Sequence, residues 1–229
     1  MTVLAILQPG YLPWLGFFDQ VWRSDVFIYY DDVQFDKHGW RNRNRIKSPH
    51  GPLWLTVPVL NSGRHGQKIC DVEIDNRQPW ARKHIASTAQ NYARAHYLSH
   101  YLPQLEELLC QRWESLVELD IAVAGMLCDW FNIKRTIWRA STLSISGEQS
   151  TRLLNFCRHF GADRYLTGDS AQAYLDVGLF ESQGVQVEWQ SYQHPVYPQL
   201  HGEFMPYLSA LDLLFNAGPQ GERILKGET

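Results

Sequence analysis

Short apolar runs alternate with amphipathic stretches in the first part of the chain. Residues Val3–Leu7 and 26–30 are apolar runs, and residues 14–22 between them carry apolar side chains at near-helical spacing. A strand, a helix and a second strand in this order form a βαβ unit whose two strands are parallel. The carboxyl ends of both strands then lie at one edge of the sheet, where open α/β sheets bind their ligands.

The same alternation continues to the end of the chain. Further strands are predicted at residues 53–59, 69–74, 136–141, 164–167 and 185–190. Helices are predicted at residues 79–97, 101–113, 116–131, 151–160 (with Ser150 as N-cap and Gly161 after its end) and 207–216. The pattern therefore predicts an α/β fold: an open, mostly parallel sheet flanked by helices, in a single domain over residues 1–229 with a helical lobe at about 79–131.

Composition narrows the class of protein. Hydrophobic residues make up 45% and charged residues 20% of the 229 residues, which is typical of a packed globular core. We expect no membrane-spanning segment and no signal peptide, because no apolar run is long enough for either. Four scattered cysteines without metal-ligand spacing indicate reduced thiols and a cytoplasmic protein. A net charge of −3 argues against a general nucleic-acid binder.

The loop after the first strand, "QPGYLPW" (residues 8–14), is rich in residues suited to a surface. Its two prolines limit the entropy lost on binding, and Gly10 permits close backbone approach. Gln8, Tyr11 and Trp14 offer an amide, a phenol and a flat ring to a substrate. The alternative is a rigid connection whose aromatic rings pack on neighbouring residues.

The segment "KHGWRNRNRIK" (residues 37–47) combines alternating cations with a tryptophan. On an extended chain its cations share one face and its asparagines share the other. Arginine binds phosphate and carboxylate through two donors at once, so this face predicts an anion site. The alternative is a solvated hairpin edge whose charges oppose aggregation. The predicted substrate ligands are Trp40, Arg41, Asn42, Arg43, Asn44, Arg45 and Lys47.

Asp31 and Asp32 directly follow the second apolar run. Strand order places them at the same sheet edge as the loop at residues 8–14, so both should face one crevice. Three roles are open for them: to hold a magnesium ion, to act as a general base, or to pair with the arginine run.

Two later segments add candidate ligands. In "TGDSAQAYL" (residues 167–175), Gly168, Asp169 and Ser170 either cradle a phosphate or cap a helix. In "YQHPVYPQLHGEF" (residues 192–204), polar groups lie in a proline-stiffened stretch, and the histidine titrates near working pH. From this stretch we select His194 as a candidate acid or base and Tyr197 and Gln199 as substrate ligands. The sequence predicts no metal-ligand set.

The stretches "QPGYLPWLGFFDQVWRSDVFIYYDDVQF", "WRNRNRIK", "GADRYLTGDSAQAYLD" and "HPVYPQLHGEF" resemble the WbqC-like family over nearly the whole chain. The resemblance implies a cytoplasmic enzyme of sugar modification in bacterial surface polysaccharide (O-antigen) biosynthesis, with a glycine-transferase type of activity. Leu7 stands where some members carry a histidine, so no role is assigned at that position.

The order of strand, Gly/Pro-rich turn and helix also resembles the start of the nucleotidylyltransferase-like (HIGH-type) Rossmann-like fold. The histidines of that motif are absent here, because Phe17 and Phe18 follow Gly16. The resemblance therefore implies a fold and no catalytic residue.

These observations support one leading hypothesis and two alternatives. The first is an acyl or aminoacyl transferase that forms an amide on an amino sugar, with a nucleotide sugar and an acyl donor as small-molecule partners. Asp31, Asp32 or His194 would accept the proton of the attacking amine. The donor stays open between an adenylate made with ATP and magnesium and an acyl thioester. The alternatives are an adenylate-forming, nucleotidylyltransferase-like enzyme and a non-catalytic module that binds glycans or nucleotide sugars.

Overall fold

The computed structural model describes residues 1–37 and 39–228, which fall into two units. Unit 1 comprises Met1–Gln8, Gly16–Asp32 and Ile133–Gln193. Unit 2 comprises Pro9–Leu15, Val33–Asn132 and the chain from His194 onward. Each unit therefore combines segments that are distant in sequence.

Strands and helices alternate as the hydrophobic pattern predicts. The strands are β1 Val3–Leu7, β2 Val26–Tyr29, β3 Arg43–Ser48, β4 Gly51–Thr56, β5 Ile137–Arg139, β6 Arg164–Thr167 and β7 Gln186–Trp189. The helices are α1 Leu15–Arg23, α2 Trp80–Asn91, α3 Leu98–Leu109, α4 Leu116–Trp130, α5 Gln149–His159, α6 Val177–Glu181, α7 Leu211–Ala217 and α8 Gln220–Leu225. No described helix has the length and apolar character needed to cross a membrane.

Unit 1 is built on a parallel sheet with the strand order β5-β2-β1-β6-β7 among the described residues. Leu4 lies opposite Val26 on β2 and Tyr165 on β6, and all strand pairs of this sheet are parallel. Leu4 and Ile28 are completely buried because the sheet is covered by helices, which explains the continuous apolar runs. The predicted mostly parallel α/β sheet is confirmed.

Unit 2 combines an antiparallel hairpin with most of the helices. Strands β3 and β4 pair from Arg43↔Thr56 to Ser48↔Gly51, and Gly51 adopts the positive φ of 109° at the turn. Helices α2, α3 and α4 form in the region of the predicted helical lobe. Helix α4 begins after Ser115 and buries apolar side chains along its length, so packing rather than surface charge fixes it.

Three local predictions are wrong. Residues 69–74 do not form a strand: Ile69–Asp71 is a 3-10 turn, and Ile74 makes only an isolated bridge. Single buried apolar residues in this segment are separated by more exposed ones, and this pattern resembles the alternation of a half-buried strand. The last predicted helix starts only at Leu211. Ser150 lies inside α5 and accepts a hydrogen bond from the Asp176 backbone at 3.0 Å instead of capping the helix.

Candidate functional site

Two tryptophans and two arginines form a continuous patch on the hairpin of unit 2. Trp40 and Trp54 are 45% and 42% exposed, and their ring centroids lie 5.0 Å apart. The Arg43 guanidinium lies 4.7 Å from the Trp54 ring centroid, and that of Arg45 lies 5.1 Å from the Trp40 centroid. We call Trp40, Arg43, Arg45 and Trp54 the Trp–Arg surface. It joins flat apolar faces to positive charge, a combination that suits a base or sugar ring beside a phosphate.

Strand register explains why these side chains meet. Arg43 and Arg45 are two residues apart on β3 and share one face, and Arg45 lies directly opposite Trp54 on β4. Among the residues that the structure describes, Arg45 has no carboxylate partner. Its Nη2 donates to the Tyr207 carbonyl at 3.3 Å, and its buried Nε has no hydrogen-bond partner in the described part of the chain. Within the described residues, no carboxylate therefore neutralises the charge of Arg45.

The loop at residues 9–14 supports this surface. The Tyr11 backbone N–H donates to the Arg41 carbonyl at 2.9 Å, and Arg41 Nη1 donates to the Pro9 carbonyl at 3.2 Å. A Cβ atom on Gly10 would lie 2.9 Å from the Trp40 carbonyl oxygen, closer than real Cβ contacts. Glycine is therefore needed at this position, and its close approach is to the backbone behind Trp40.

Tyr11 and Trp14 do not form a pair of exposed rings on which a ligand could stack. Tyr11 is completely buried, and its hydroxyl lies 3.0 Å from His84 Nδ1. Burial and then the charge of Asp120 raise the pKa of Tyr11 well above its usual value. Trp14 is half-buried with its ring centroid 5.5 Å from that of Tyr207. Tyr11 thus holds the loop in place and has no ring face open to a ligand.

The two asparagines in the segment at residues 37–47 face inward and donate hydrogen bonds to backbone carbonyl groups. Asn42 Nδ2 donates to the Val57 carbonyl at 2.8 Å, and Asn44 Nδ2 donates to the Leu12 carbonyl at 2.7 Å. Both side chains are buried. The alternation of cations and amides along the strand is present, and the amides fix the hairpin and the supporting loop.

Lys47 departs from the expected row of solvated cations. It is only 2% exposed, and its Nζ donates to Gln199 Oε1 at 3.1 Å and to the Glu203 carbonyl at 2.5 Å. These acceptors compensate its desolvation, so a buried lysine is tolerated at the end of β3. Lys47 therefore ties the hairpin to the segment that carries Gln199.

A buried carboxylate continues this connection. Asp212 accepts hydrogen bonds from the Tyr92 hydroxyl at 2.7 Å, the Tyr197 hydroxyl at 2.9 Å and Gln199 Nε2 at 2.7 Å. Burial raises the pKa of Asp212, and these three hydrogen bonds act in the opposite direction. We call Lys47, Tyr92, Tyr197, Gln199 and Asp212 the Asp212 network. The two ligand candidates at positions 197 and 199 thus fix the segment around His194.

His194 lies in an aromatic setting next to the Trp–Arg surface. Its ring centroid is 5.4 Å from that of Tyr207 and 5.6 Å from that of Phe204. Nδ1 lies 2.9 Å from the Pro195 carbonyl oxygen, which places the proton on Nδ1 and makes Nε2 the basic nitrogen. Nε2 is buried in this structure. Burial lowers the pKa of His194, so the imidazole is neutral at pH 7.

Tyr207 connects the two parts of the site. It is half-exposed, its ring contacts His194, and its carbonyl accepts the hydrogen bond from Arg45. Its φ of 60° is unusual for a residue other than glycine, and such strained backbone concentrates at functional positions. The site in unit 2 therefore combines two exposed tryptophans, two arginines and a neutral histidine, which Tyr207 connects.

Asp31 and Asp32 lie at the carboxyl edge of the sheet in unit 1, and both are ion-paired. Asp31 is fully buried and accepts from Arg139 Nε at 2.8 Å, from the Ser141 backbone at 2.9 Å and from the Ser141 hydroxyl at 2.7 Å. Asp32 binds Arg152 through two donors, at 3.0 and 2.5 Å. The expected pairing with the run at 41–47 is not what these residues make, because Arg139 and Arg152 lie outside that run.

The other candidates of unit 1 share this edge. Gln8 follows β1, and Gly168 follows the neighbouring strand β6, so both lie where the parallel strands end. Asp169–Ala173 is a 3-10 turn, and Asp169 Oδ1 accepts from the Ser191 backbone at 3.1 Å. Ser170 lies exposed in this turn. Among residues 1–37 and 39–228, no group of three His, Cys, Asp or Glu side chains comes together as metal ligands.

Comparison with known proteins settles the family. The sequence model of the WbqC-like protein family matches residues 8–224. The chain belongs to the WbqC-like protein family. It is 36% identical over 228 residues to the uncharacterized protein Rv1507c of Mycobacterium tuberculosis, an alignment that covers 99% of this chain and 98% of the relative. No solved structure matches the chain, so the nucleotidylyltransferase-like assignment stays a prediction.

The sequence pattern did not identify three residues that belong to the site of this WbqC-like protein. Trp54 lies in a predicted strand between Leu53 and Leu55. This alternation was the feature of the sequence that could have indicated an outward-facing tryptophan. Tyr207 falls in a predicted helix that starts four residues later. Asp212 stands among leucines in "LSALDLLFN", where a buried charge needs partners from elsewhere in the chain.

The buried carboxylate of Asp120 in this WbqC-like protein gives a pH-dependent prediction. Asp120 on α4 is fully buried, and neither carboxylate oxygen has a hydrogen-bond partner within the described residues. Burial raises the pKa of Asp120 well above its usual value, with Arg41 acting in the opposite direction. Because the native pKa exceeds that of the unfolded chain, the protein loses stability as pH rises from about 4, by at most about 1.4 kcal/mol per unit.

We therefore expect Asp120→Asn to be more stable than the wild type at neutral pH. The asparagine does not titrate, so the free energy of unfolding should rise by about 1–3 kcal/mol at pH 7. Urea unfolding at pH 4.5 and pH 7 measures this difference. The gain should be smaller at pH 4.5, and an equal gain at both pH values would contradict a titrating Asp120.

Proposed function

We propose that this protein is an acyl or aminoacyl transferase that forms an amide on an amino sugar carried by a nucleotide. The product would serve bacterial surface polysaccharide biosynthesis. One observation carries the proposal: the Trp–Arg surface and His194 meet at Tyr207, whose carbonyl binds Arg45 and whose ring contacts the histidine. A site for an anion with a flat ring thus adjoins a base.

The Trp–Arg surface would bind the nucleotide. Exposed tryptophan rings stack on a base or on the apolar face of a sugar, and Arg43 and Arg45 supply charge for phosphates. The Asn42 and Asn44 side chains keep the hairpin in its register, so the surface is ordered before the ligand arrives. Preorganised rings and cations are what affinity for a nucleotide sugar requires.

His194 would accept the proton released in the reaction. The amine nitrogen of the sugar attacks the acyl carbon of the donor, a C–N bond forms, and the C–O bond of an adenylate or the C–S bond of a thioester breaks. The amine proton passes to His194 Nε2, which is buried in this structure, so the ring has to turn toward the substrate for the step. AMP or the thiol leaves with the bonding electrons. The lowered pKa keeps His194 in the neutral form that accepts a proton at pH 7.

Asp31 and Asp32 take positioning roles in this proposal. Their oxygens are engaged by Arg139, Ser141 and Arg152, and a carboxylate in such pairs is a poor base. They fix two guanidinium groups at the carboxyl edge of the sheet, where ligands of open sheets bind.

Binding of a nucleotide sugar to single-tryptophan variants tests the proposal. Trp54→Ala should weaken the binding of an amino-sugar nucleotide about 5–150-fold, because one stacking contact contributes about 1–3 kcal/mol. Titration calorimetry with UDP- and dTDP-linked amino sugars measures the change. Trp138→Ala is the matched control, since Trp138 is 40% exposed on unit 1. Equal affinities of the two variants, or no binding to the wild type, would refute the proposal.

A binding module without catalysis is the second candidate, and the ion pairs of Asp31 and Asp32 favour it. Carboxylates held by arginines order a surface and perform no proton transfer. Such a protein would show the same loss of affinity in Trp54→Ala but no amide formation with any acyl donor.

A further inference from the structure

A cleft of about 470 Å³ with polar side chains in its lining lies in unit 2, between the segments at residues 34–37 and 61–67. The volume is in the range of small-molecule sites. Backbone pairing holds the walls together: the Phe35 N–H donates to the Gln67 carbonyl at 2.9 Å, and Gln34 bridges to Lys68. The cleft is therefore defined by paired backbone rather than by loose side chains.

The lining of the cleft matches the hydrogen-bonding needs of hydroxyl groups. Gln34, Asn61 and Gln67 bring amides, each of which both donates and accepts. Asp36 adds an acceptor and Lys37 adds donors. A sugar hydroxyl also both donates and accepts, so an amide-rich lining with mixed charges suits a polyhydroxylated ring better than a simple anion.

One of the cations at the cleft is already balanced. Arg64 binds Glu73, with contacts of 3.0 and 3.1 Å. Asp36 and Lys37 bring opposite charges. The cleft therefore lacks the excess of positive charge that would select a phosphate, and the Trp–Arg surface has that excess.

Two hydrogen bonds of Gly39 connect the cleft to the Trp–Arg surface. The Gly39 N–H donates to the Asp36 carbonyl at 3.1 Å, and Arg43 Nε donates to the Gly39 carbonyl at 3.1 Å. A Cβ atom on Gly39 would lie 2.7 Å from Asp36 Oδ2, so Gly39 lies against the Asp36 side chain. A wall of the cleft is thus connected through two hydrogen bonds to an arginine that stacks on Trp54.

We infer that this cleft binds the sugar ring of a nucleoside diphosphate sugar whose nucleotide part lies on the Trp–Arg surface. The inference rests on the proposed function and deepens it, because it assigns the residues that recognise the sugar. Hydrogen bonds from the amides of Gln34, Asn61 and Gln67 would distinguish one hydroxyl pattern from another.

The test compares a nucleotide with and without its sugar. Affinities of UDP, dTDP and their amino-sugar derivatives are measured by titration calorimetry for the wild type, for the double variant Asn61→Ala/Gln67→Ala and for Gln34→Ala. Gln111→Ala is the control, since Gln111 is an exposed amide outside the cleft. All replaced amides lie at the surface or partly exposed, and thermal melting confirms that each variant is folded.

The wild type should bind the sugar nucleotide more tightly than the free nucleotide. The double variant should lose about tenfold or more of the sugar-nucleotide affinity, Gln34→Ala should lose part of it, and both should bind the free nucleotide unchanged. Unchanged preference for the sugar in both cleft variants overturns the inference and leaves the proposed function standing. Absence of binding of every nucleotide to the wild type overturns both.

Discussion

Replacing His194 by glutamine is expected to lower kcat for amide formation by about 10²–10⁴-fold, the usual contribution of a general base. The affinity for the sugar nucleotide should change little, because the rings and cations of the Trp–Arg surface remain. Coupled detection of AMP or thiol release measures kcat, and calorimetry measures affinity. A drop in affinity with unchanged kcat would show that His194 binds the substrate and does not take its proton.

The pH profile gives an independent readout of the same role. Burial lowers the pKa of His194 below its ordinary value of 6.5, so the neutral base predominates at pH 7 and above. The wild-type rate should therefore be flat near neutrality and fall only at more acidic pH. His201→Asn is the control: His201 is an exposed histidine of the same segment with a φ of 64°, a conformation that asparagine tolerates. An acid limb that persists in His194→Gln would exclude this histidine as the base.

Replacing Asp212 by alanine is expected to lower the free energy of unfolding by about 3–5 kcal/mol. The substitution removes the Asp212 acceptor of two buried hydroxyl groups, on Tyr92 and Tyr197. It also removes one of the two acceptors of Gln199 Nε2, which keeps the Met205 carbonyl. It also removes a negative charge that interacts with the ammonium of the buried Lys47. Urea unfolding at pH 7 measures the loss, which should appear as a lower midpoint with an unchanged m-value.

Two further variants distinguish the contribution of the Asp212 network to stability from the effect of losing any carboxylate. Asp212→Asn keeps one oxygen acceptor, so its loss should lie between those of the wild type and Asp212→Ala. Asp129→Ala removes an exposed carboxylate at the end of α4 and should stay within about 0.5 kcal/mol of the wild type. A loss of similar size in Asp129→Ala and Asp212→Ala would contradict a special role of the Asp212 network.

The central strands of unit 1 were predictable because most of their residues are buried. Residues 3–7 are a short apolar run, residues 164–167 are a short stretch between helical patterns, and the structure has strands at both places. The failures have a different origin. At residues 69–74 and 207–210, hydrogen bonds from distant segments decide the backbone, as when the Ile74 N–H donates to the Glu114 carbonyl and the Ser209 N–H to the Arg45 carbonyl. Local periodicity carries no information about such partners.

The sequence predicted only those features of the site that depend on residues close together in the chain. Alternation along β3 correctly placed Arg43 and Arg45 on one face. It could not show that Lys47, two residues further on, turns into the interior, because the acceptor Gln199 comes from the far end of the chain. Tyr11 illustrates the same limit, since its burial depends on His84.

The arrangement of the sheet has a consequence for synthesis on the ribosome. β1 is the central strand of unit 1, yet its neighbour β6 starts only at Arg164, and the edge strand β7 ends at Trp189. Until those residues emerge, the nascent chain can pair β1 only with β2, and one hydrogen-bonding edge of β1 stays open. Unit 1 must therefore complete its sheet late, and a slowly closing parallel sheet is exposed to aggregation in the meantime.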